Sequence, residues 1–364
     1  MSYDASEVLG KFLQDSKALP VDLPRFLLDG VEYADFLKIC EKIKTMKGGS
    51  MGEWCAAWMD AALVYQRIAE KALAEGNTVT AGEAFWKASI YNHYGQFMEW
   101  HNSMKHEAAR RKVEMYKCAA PLIVPPAERV EVPFEGITLP AYLRLPMGKT
   151  KPPCVICIGG LESTKEEYYT FENILLRRGL ATFSFDGPGQ CEVYYKMKAR
   201  PDFERATSAV VDYLQDRREI DFERLGAIGR SLGGYYLLRS AAFEKRIKAA
   251  VAWSSVDFSR LDGHSPGMKD GWMYVSGKTN WDEAKKHFMS FTLEGVVGMI
   301  TCPLYILQGE QDNIHSTERA VWISRQAKGP VVLDIVEDGN HCAQNLGQIV
   351  RPRMADWLAK ILKA

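Results

Sequence analysis

Residues 225–242 read L-G-A-I-G-R-S-L-G-G-Y-Y-L-L-R-S-A-A and combine three local patterns. The short apolar run at 225–228 predicts a buried strand. From Tyr235 onward, apolar residues recur at helical spacing and predict a helix. The motif G-R-S-L-G at 229–233 lies between the two. This order of strand, turn and helix is typical of a nucleophile elbow, in which a serine hydroxyl is held at the tip of a strained turn.

Glycine is expected on both sides of Ser231 for steric reasons. In such a sharp turn, side chains at 229 and 233 would collide with the neighbouring strand and helix, and glycine avoids both collisions. The hydroxyl would also lie near a helix N-terminus, where the dipole favours negative charge. The alternative is a glycine-rich loop with an incidental serine. Residues further along the chain favour the elbow, because they supply the partners that a nucleophilic serine needs.

Composition limits the classes of function. The chain has 364 residues, 47% of them hydrophobic and 25% charged, which predicts a soluble globular protein of two domains or one enlarged domain. Its 46 basic and 46 acidic residues cancel, so we expect neither nucleic acid nor an anionic membrane as partner. The N-terminus M-S-Y-D-A-S-E has no signal-peptide pattern, and no apolar run is long enough for a membrane span. We therefore expect a cytoplasmic location.

Eight cysteines are scattered along the chain. Cys154 and Cys157 have C-x-x-C spacing, but they lie within the apolar run C-V-I-C-I and no second pair accompanies them. This favours buried free thiols over metal or redox ligands. We expect no metal site here.

Two regions of different pattern divide the chain. Helical periodicity covers residues 1–124, with predicted helices at 33–46, 51–74, 80–100 and 105–122. Prolines at 121, 125 and 126 mark the boundary. Over 125–364, short strands alternate with helices, which predicts a doubly wound, mainly parallel sheet. The aromatic-rich segment 254–300 interrupts this alternation and is predicted to form a small cap over the strand ends.

A serine needs a base to accept its proton, and the base needs an acid to orient it. In an elbow protein these follow the serine in the order acid, then histidine. Asp312 lies in Q-G-E-Q-D after the predicted strand 304–307, and His341 lies in E-D-G-N-H after the predicted strand 331–336. We predict a triad of Ser231, Asp312 and His341. Asp338 and Glu310 are the alternative acids.

An oxyanion hole needs two backbone N–H donors. One is predicted at Leu232, directly after the nucleophile. The other is predicted in the loop G-G-L-E-S at 159–163, at Leu161 or alternatively at Gly160. Glu162 is unexpected there, because a carboxylate opposes the developing negative charge. It either acts on the substrate or caps the helix that begins near Thr164.

Five segments together resemble a known family. They are R-V-E-V-P-F-E-G-I-T-L-P-A-Y at 129–142, A-G-E-A-F-W-K-A-S-I-Y at 81–91, G-G-L-E-S-T-K-E-E at 159–167, F-D-G-P-G-Q at 185–190 and G-R-S-L-G-G at 229–234. With the loops of Asp312 and His341, they resemble the 2,6-dihydroxypseudooxynicotine-hydrolase-like C–C bond hydrolases of the FrsA-like α/β-hydrolase group. The resemblance covers nearly the whole chain.

This resemblance implies an α/β-hydrolase fold whose N-terminal helical domain covers the active site. It implies the Ser231–His341–Asp312 triad, a glutamate needed for activity at Glu162, a homodimer, and no metal or organic cofactor. The reaction it implies is hydrolysis of a C–C bond next to a ketone in an acylated aromatic or β-diketone-like small molecule. Fungal polyketide-shortening hydrolases and simple esterases belong to the same wider group. An ester or amide hydrolase with the same triad is therefore one alternative, and a non-enzymatic regulatory or binding protein is another.

Overall fold

The computed structural model describes residues 23–45, 51–97, 100, 103–254 and 258–363. Its N-terminal part is helical. The helices are α1 (Leu23–Leu28), α2 (Tyr33–Thr45), α3 (Met51–Ala74), α4 (Thr78–Gly95) and α5 (Ser103–Ala119). Residues 1–22 of the predicted helical domain lie outside the described residues, and the division of the chain at residue 124 stays a prediction.

Helix α4 packs against α3 through aromatic side chains and is shorter at its C-terminal end than predicted. The helix predicted over 80–100 stops at Gly95. A Cβ at Gly95 would lie 3.1 Å from Cβ of Trp58, so α3 and α4 approach closely there. Trp58 is fully buried, with its ring centroid 5.6 Å from that of Tyr94 and 5.5 Å from that of Phe26. The aromatic periodicity of α4 thus packs helix against helix.

The rest of the chain alternates strands with helices, as the sequence predicts. The strands are β1 (Ala127–Phe134), β2 (Ile137–Arg144), β3 (Pro153–Ile158), β4 (Ala181–Phe185), β5 (Asp221–Arg230), β6 (Ile247–Trp253), β7 (Leu304–Gly309) and β8 (Val331–Val336). The helices are α6 (Tyr169–Leu176), α7 (Cys191–Tyr194), α8 (Glu204–Gln215), α9 (Leu232–Phe243), α10 (Pro266–Ser276), α11 (Trp281–Phe288), α12 (Thr317–Gln326) and α13 (Gly347–Leu362).

The strands of the described residues form one eight-stranded sheet in the order β1-β2-β4-β3-β5-β6-β7-β8. The pairs β1–β2 and β2–β4 are antiparallel, and the pairs from β4 to β8 are parallel. The carboxyl ends of β5, β7 and β8 therefore lie at one edge of the sheet, where open α/β sheets build their sites. None of the described helices is both long and apolar enough to cross a membrane.

Both faces of the sheet are covered. On β3, Cys154 and Ile156 belong to one buried cluster, whereas Val155 and Cys157 belong to the cluster on the other face. The C-x-x-C spacing therefore places the two thiols on opposite sides of a strand. The first cluster continues into the helical part of the chain and includes Phe26. Helices and sheet thus share one core.

The region predicted as a cap contains α10 and α11. Trp272 of α10 packs on Phe288 of α11, with ring centroids 4.6 Å apart. A Cβ at Gly271 would lie 2.6 Å from Cζ2 of Trp100 and 3.2 Å from Cδ2 of Leu161. Helix α10 therefore touches both the helical part of the chain and the loop after β3. Residues 255–257 of the predicted cap lie outside the described residues.

Candidate active site

Ser231 lies at the turn between β5 and α9 with φ 57° and ψ −120°. A positive φ is strained for a residue with a side chain, and such strain persists only where the surroundings hold it. The N–H of Ser231 donates to the carbonyl oxygen of Trp253 on β6 at 2.9 Å. The turn is therefore fixed from the neighbouring strand.

The flanking glycines fit because no side chain has room there. A Cβ at Gly229 would lie 2.0 Å from the carbonyl oxygen of Gly233. A Cβ at Gly233 would lie 2.3 Å from the carbonyl oxygen of Ile158. Real Cβ atoms do not approach backbone that closely, so the steric reason predicted for both glycines is confirmed.

His341 joins the serine to an acid. Its Nε2 is 3.0 Å from Oγ of Ser231, and its Nδ1 is 2.9 Å from Oδ2 of Asp312. The histidine begins a short 3-10 segment, His341–Leu346, in which Cys342 has a φ of 59°. The indole Nε1 of Trp253 donates to the carbonyl oxygen of Cys342 at 2.6 Å and holds this loop. The three side chains form one continuous hydrogen-bonded row.

Asp312 is buried and accepts four further hydrogen bonds. Its Oδ2 accepts from Oγ of Ser254 at 3.0 Å and from Nε2 of Gln308 at 3.1 Å. Its Oδ1 accepts from the backbone N–H groups of Ile314 and His315, both at 2.9 Å. These donors stabilise the ionised carboxylate and fix its direction. Ser254 and Gln308 are not among the predicted site residues, although each directly follows a predicted strand.

The two alternative acids lie elsewhere. Asp338 is exposed, and its Oδ1 accepts from Nε2 of Gln311 at 2.7 Å. Glu310 is also exposed. Within the described part of the chain, the carboxylate hydrogen-bonded to His341 is that of Asp312.

The pKa values of the two partners are linked. Burial alone would lower the pKa of His341, but the Asp312 carboxylate and the adjacent Cys342 raise it above the ordinary histidine value. Burial would likewise raise the pKa of Asp312, but His341 and the backbone N–H of His315 keep it well below its usual range. The geometry thus holds an ionised acid against a histidine of increased basicity, which is the arrangement of a general base with its orienting acid.

The loop after β3 packs directly on the elbow. A Cβ at Gly160 would lie 2.9 Å from the carbonyl oxygen of Arg230 and 3.3 Å from Cβ of Ser231. Among the described residues, the N–H of Leu161 donates to no backbone carbonyl. Leu232 is the first residue of α9, and a first-turn N–H has no carbonyl partner within its own helix. Within the part of the chain that the structure describes, both amides predicted for an oxyanion hole therefore lack a backbone carbonyl partner.

Three side chains hold this loop in place. Nε2 of Gln190, the last residue of F-D-G-P-G-Q, donates to the carbonyl oxygen of Gly159 at 2.6 Å. Nη2 of Arg230 donates to Oγ of Ser163 at 2.8 Å, and the hydroxyl of Tyr168 donates to the carbonyl oxygen of Ile158 at 2.8 Å. These three hydrogen bonds fix the backbone direction of the loop, and electrostatic stabilisation of an oxyanion requires such fixed donors.

Glu162 faces a cation. Its Oε1 is 3.8 Å from Nζ of Lys105 on α5, and both side chains are more than nine-tenths buried. The capping alternative fits less well, because Oδ1 of Asp186 accepts the backbone N–H of Lys165 at 2.9 Å. Lys165 begins the 3-10 helix that follows Thr164.

A cavity of about 360 Å³ opens above these groups. Ser231, His341, Leu161 and Glu162 line it together with Arg25 from the helical part and Met268 from α10. Its volume suits a small organic molecule. Ser231 and Glu162 thus face one shared space.

Comparison with known proteins assigns the family. Residues 39–265 match the family described as esterase FrsA-like, and residues 195–364 match the prolyl oligopeptidase family. A 2,6-dihydropseudooxynicotine hydrolase from Paenarthrobacter nicotinovorans is 40% identical over 344 residues, covering 93% of this chain and 91% of that protein. The chain belongs to the FrsA-like family.

A solved structure and a fungal relative are also similar to this FrsA-like chain. The crystal structure of the 2,6-dihydroxy-pseudo-oxynicotine hydrolase matches with a TM-score of 0.87 at 39% identity, covering 94% of this chain and 96% of that chain. Hydrolyase poxO of Penicillium oxalicum is 28% identical over 345 residues, covering 75% of this chain and 82% of that protein. The protein is an α/β-hydrolase, and the predicted resemblance and fold class are confirmed.

One group in this FrsA-like chain has the donor atoms of a metal site. Within the described residues, Glu166, Asp186 and Cys191 bring ligand atoms within 4.8 Å of one another. An ammonium already lies among them, because Nζ of Lys165 is 2.7 Å from Oδ2 of Asp186 and 2.6 Å from Oε1 of Glu166. The lysine supplies the positive charge that a metal would bring, and we assign no metal to this group.

Proposed function

We propose that this FrsA-like protein is a serine hydrolase that cleaves a C–C bond next to a ketone in an acylated aromatic or β-diketone-like substrate. The observation that carries the proposal is the hydrogen-bonded row Ser231–His341–Asp312 at a cavity that Glu162 also lines. Ester hydrolysis needs only the three residues of this row and an oxyanion hole. The additional carboxylate of Glu162 therefore favours a substrate whose leaving group is less stable as an anion. The 40% identical relative, named as a 2,6-dihydropseudooxynicotine hydrolase, supports this choice.

In the first step, Oγ of Ser231 attacks the ketone carbon while Nε2 of His341 accepts the hydroxyl proton. Asp312 orients the imidazole and stabilises the imidazolium that forms. The ketone oxygen gains negative charge, and the N–H groups of Leu232 and Leu161 stabilise it. A tetrahedral adduct on Ser231 results.

In the second step, the adduct collapses and the bond between the carbonyl carbon and the ring breaks. The electron pair of that bond remains on the ring carbon, which takes the proton held by His341. Glu162, with its charge compensated by Lys105, accepts a hydrogen bond from a ring hydroxyl and polarises the ring for this departure. Water then attacks the acyl–Ser231 ester with His341 as base, and a carboxylic acid leaves.

Ester hydrolysis is the second candidate. The matching family is described as esterase-like, and the row of Ser231, His341 and Asp312 would be sufficient for an ester. In that case Glu162 would have no role in turnover. The two candidates therefore differ in what they require of one carboxylate.

Labelling and product analysis test the proposal. A fluorophosphonate should modify Ser231, and an acylated dihydroxybenzene ketone should yield a free dihydroxybenzene and a carboxylic acid. Ser231→Ala should abolish both outcomes with an unchanged melting transition, since losing a triad serine costs about a million-fold in kcat. Asp338→Asn is the matched control and should retain both. Activity of Ser231→Ala within about tenfold of the parent would sink the assignment.

A further inference from the structure

Arg25 of α1 lines the cavity that contains Ser231. Its Nε and Nη2 both donate to Oε1 of Glu167, and its Cζ lies 4.6 Å from the ring centroid of Phe97. Among the described residues, Nη1 of Arg25 has no hydrogen-bond acceptor in the protein. The side chain is 18% exposed. Nε and Nη2 of this guanidinium thus donate to the protein, and Nη1 remains as a donor.

The carboxylate that binds Arg25 is shared with a second cation. Nη2 of Arg230 contacts the same Oε1 of Glu167. Nε2 of His93 lies 3.5 Å from the other oxygen, Oε2. Burial lowers the pKa of His93 to about 3, so this ring adds no charge at neutral pH. Two guanidinium groups therefore share one carboxylate.

A neighbouring ion pair, between Asp29 and Arg351, does not compensate the second positive charge on Glu167. Oδ1 of Asp29 is 2.8 Å from Nη2 of Arg351, and the Tyr94 hydroxyl donates to Oδ2 at 2.8 Å. Asp29 therefore balances Arg351, although Nε of Arg25 also lies 3.9 Å from it. Three arginines face two carboxylates in this cluster. Its members are Arg25, Arg230, Arg351, Asp29 and Glu167.

The other charged groups at the cavity are already paired. Glu162 has Lys105, and His341 has Asp312. The excess positive charge therefore belongs to the arginine cluster. A partly buried charge without compensation is costly, and a guanidinium donor without a protein acceptor readily binds an anionic oxygen.

We propose that the substrate carries an anionic oxygen group, either a carboxylate or an ionised ring hydroxyl, that binds Nη1 of Arg25. The inference rests on the proposed function, because it assigns the substrate class of the same cavity. An anion at Arg25 would balance the cluster charge and anchor the substrate beside the nucleophile. A ring with an acidic hydroxyl is also the leaving group that best accommodates the electron pair of a broken C–C bond.

Binding of small probes to the full-length protein tests the inference without turnover. Isothermal titration calorimetry compares benzoate with its neutral analogue benzamide. A second comparison uses 1,3-cyclohexanedione, ionised at neutral pH, and its neutral enol ether 3-methoxycyclohex-2-enone. The anion of at least one pair should bind about ten- to a hundredfold more tightly, the range expected for a hydrogen bond to a charged group. A preference in the first pair assigns a carboxylate, and one in the second pair assigns an acidic ring.

Three variants test whether the preference for the anion depends on Arg25. Arg25→Gln should remove the preference for the anion while leaving binding of the neutral probe nearly unchanged. Arg351→Gln is the matched control, because it deletes the same charge from the same cluster at a residue that does not line the cavity. It should lower the melting temperature and weaken the preference for the anion less than Arg25→Gln does, because the donor that lines the cavity is retained. Arg25→Lys, which retains the charge, should keep part of it.

Equal binding of anion and neutral analogue to the parent in both pairs would overturn the inference. So would an anion preference that survives Arg25→Gln, or one that Arg351→Gln removes equally. The outcome is separable from the proposed function, because fluorophosphonate labelling of Ser231 does not depend on Arg25. A labelled protein without anion preference retains the hydrolase proposal and loses only the substrate class.

Discussion

Arg230, the residue before the candidate nucleophile, donates through Nη2 to Oγ of Ser163, 2.8 Å away, and joins the elbow to the loop after β3. Both side chains are almost fully buried. The same guanidinium contacts Glu167, to which Arg25 of α1 also binds. A row of contacts therefore runs from the helical part of the chain, through Glu167 and Arg230, to the loop that carries Leu161.

Ser163→Ala tests whether this contact positions the loop. Loss of the hydroxyl leaves one Arg230 donor without its acceptor and loosens the loop, so kcat on a p-nitrophenyl ester should fall by about tenfold with little change in KM, from the ~1–3 kcal/mol attached to such a loss. Steady-state kinetics provide the measurement.

Ser240→Ala is the control for Ser163→Ala. The Ser240 hydroxyl is equally buried and donates to Oγ1 of Thr207 at 2.8 Å, away from the cavity. This change should lower the melting temperature but leave kcat unchanged. Equal losses of kcat in the two variants would show that Ser163 acts through general stability alone.

The sequence predicts the sites that local patterns encode. The residues of the elbow are contiguous in sequence. Asp312 and His341 each follow a recognisable strand, and the carboxyl ends of parallel strands meet at one edge of the sheet, so these side chains are expected to lie close together. The glycines at 229 and 233 are predicted for the same reason, because a strained turn has no room for a Cβ. These features need no knowledge of how distant segments pack.

Other parts of the site depend on contacts between distant segments. Arg25 and Glu167 are 142 positions apart, and Lys105 reaches Glu162 from α5. Helix ends are also missed, since α5 ends at Ala119 whereas periodicity places its end at residue 122. The spacing of apolar residues indicates which face of a helix is buried. The ends of the helix depend instead on capping and on neighbouring elements.

The pH dependence of activity should report the coupling between His341 and Asp312. His341 accepts a proton only when neutral, and Asp312 raises its pKa above the ordinary histidine value. As pH falls, kcat/KM should therefore decline through a midpoint above that ordinary value. In Asp312→Asn the raising charge is lost, so the midpoint should move to lower pH and the rate should fall by about 10⁴-fold.

Asp338→Asn is the control for the acid. Asp338 is exposed and bonded to Gln311, so this change should leave both the rate and the midpoint unaltered. Measuring kcat/KM across pH for the three proteins decides the assignment. A larger loss in Asp338→Asn than in Asp312→Asn would show that the triad acid is wrong.

The helical part of the chain should be needed for a folded hydrolase. It supplies Arg25 to Glu167 and Lys112 to Glu166, whose Nζ and Oε2 lie 3.5 Å apart. Both glutamates are buried, and removing one partner of a buried ion pair costs about 3–5 kcal/mol. A fragment beginning at Pro126 should therefore be insoluble or inactive, which expression and ester assays would check. A soluble fragment with full activity would refute this dependence.

Glu162→Gln should separate the two candidate reactions. A ketone with a ring leaving group needs the carboxylate to accept a ring hydroxyl proton or hydrogen bond, and such help is worth about 10²–10⁴-fold. An activated ester expels a stable anion and needs only the triad with its oxyanion hole. The variant should therefore lose most activity on an acylated dihydroxybenzene ketone and keep most activity on p-nitrophenyl acetate. Parallel kcat/KM measurements on the two substrates provide the test.

The amide is nearly isosteric with the carboxylate, so packing around Leu161 and Ser163 should be retained in Glu162→Gln. The matched change is Lys105→Met, which keeps the carboxylate but removes the ammonium 3.8 Å from it. It should weaken ketone cleavage less than Glu162→Gln does, because the carboxylate proposed to contact the substrate is still present. Equal losses on ketone and ester would assign Glu162 a structural role. Full retention on both substrates, with rapid ester turnover, would favour the esterase.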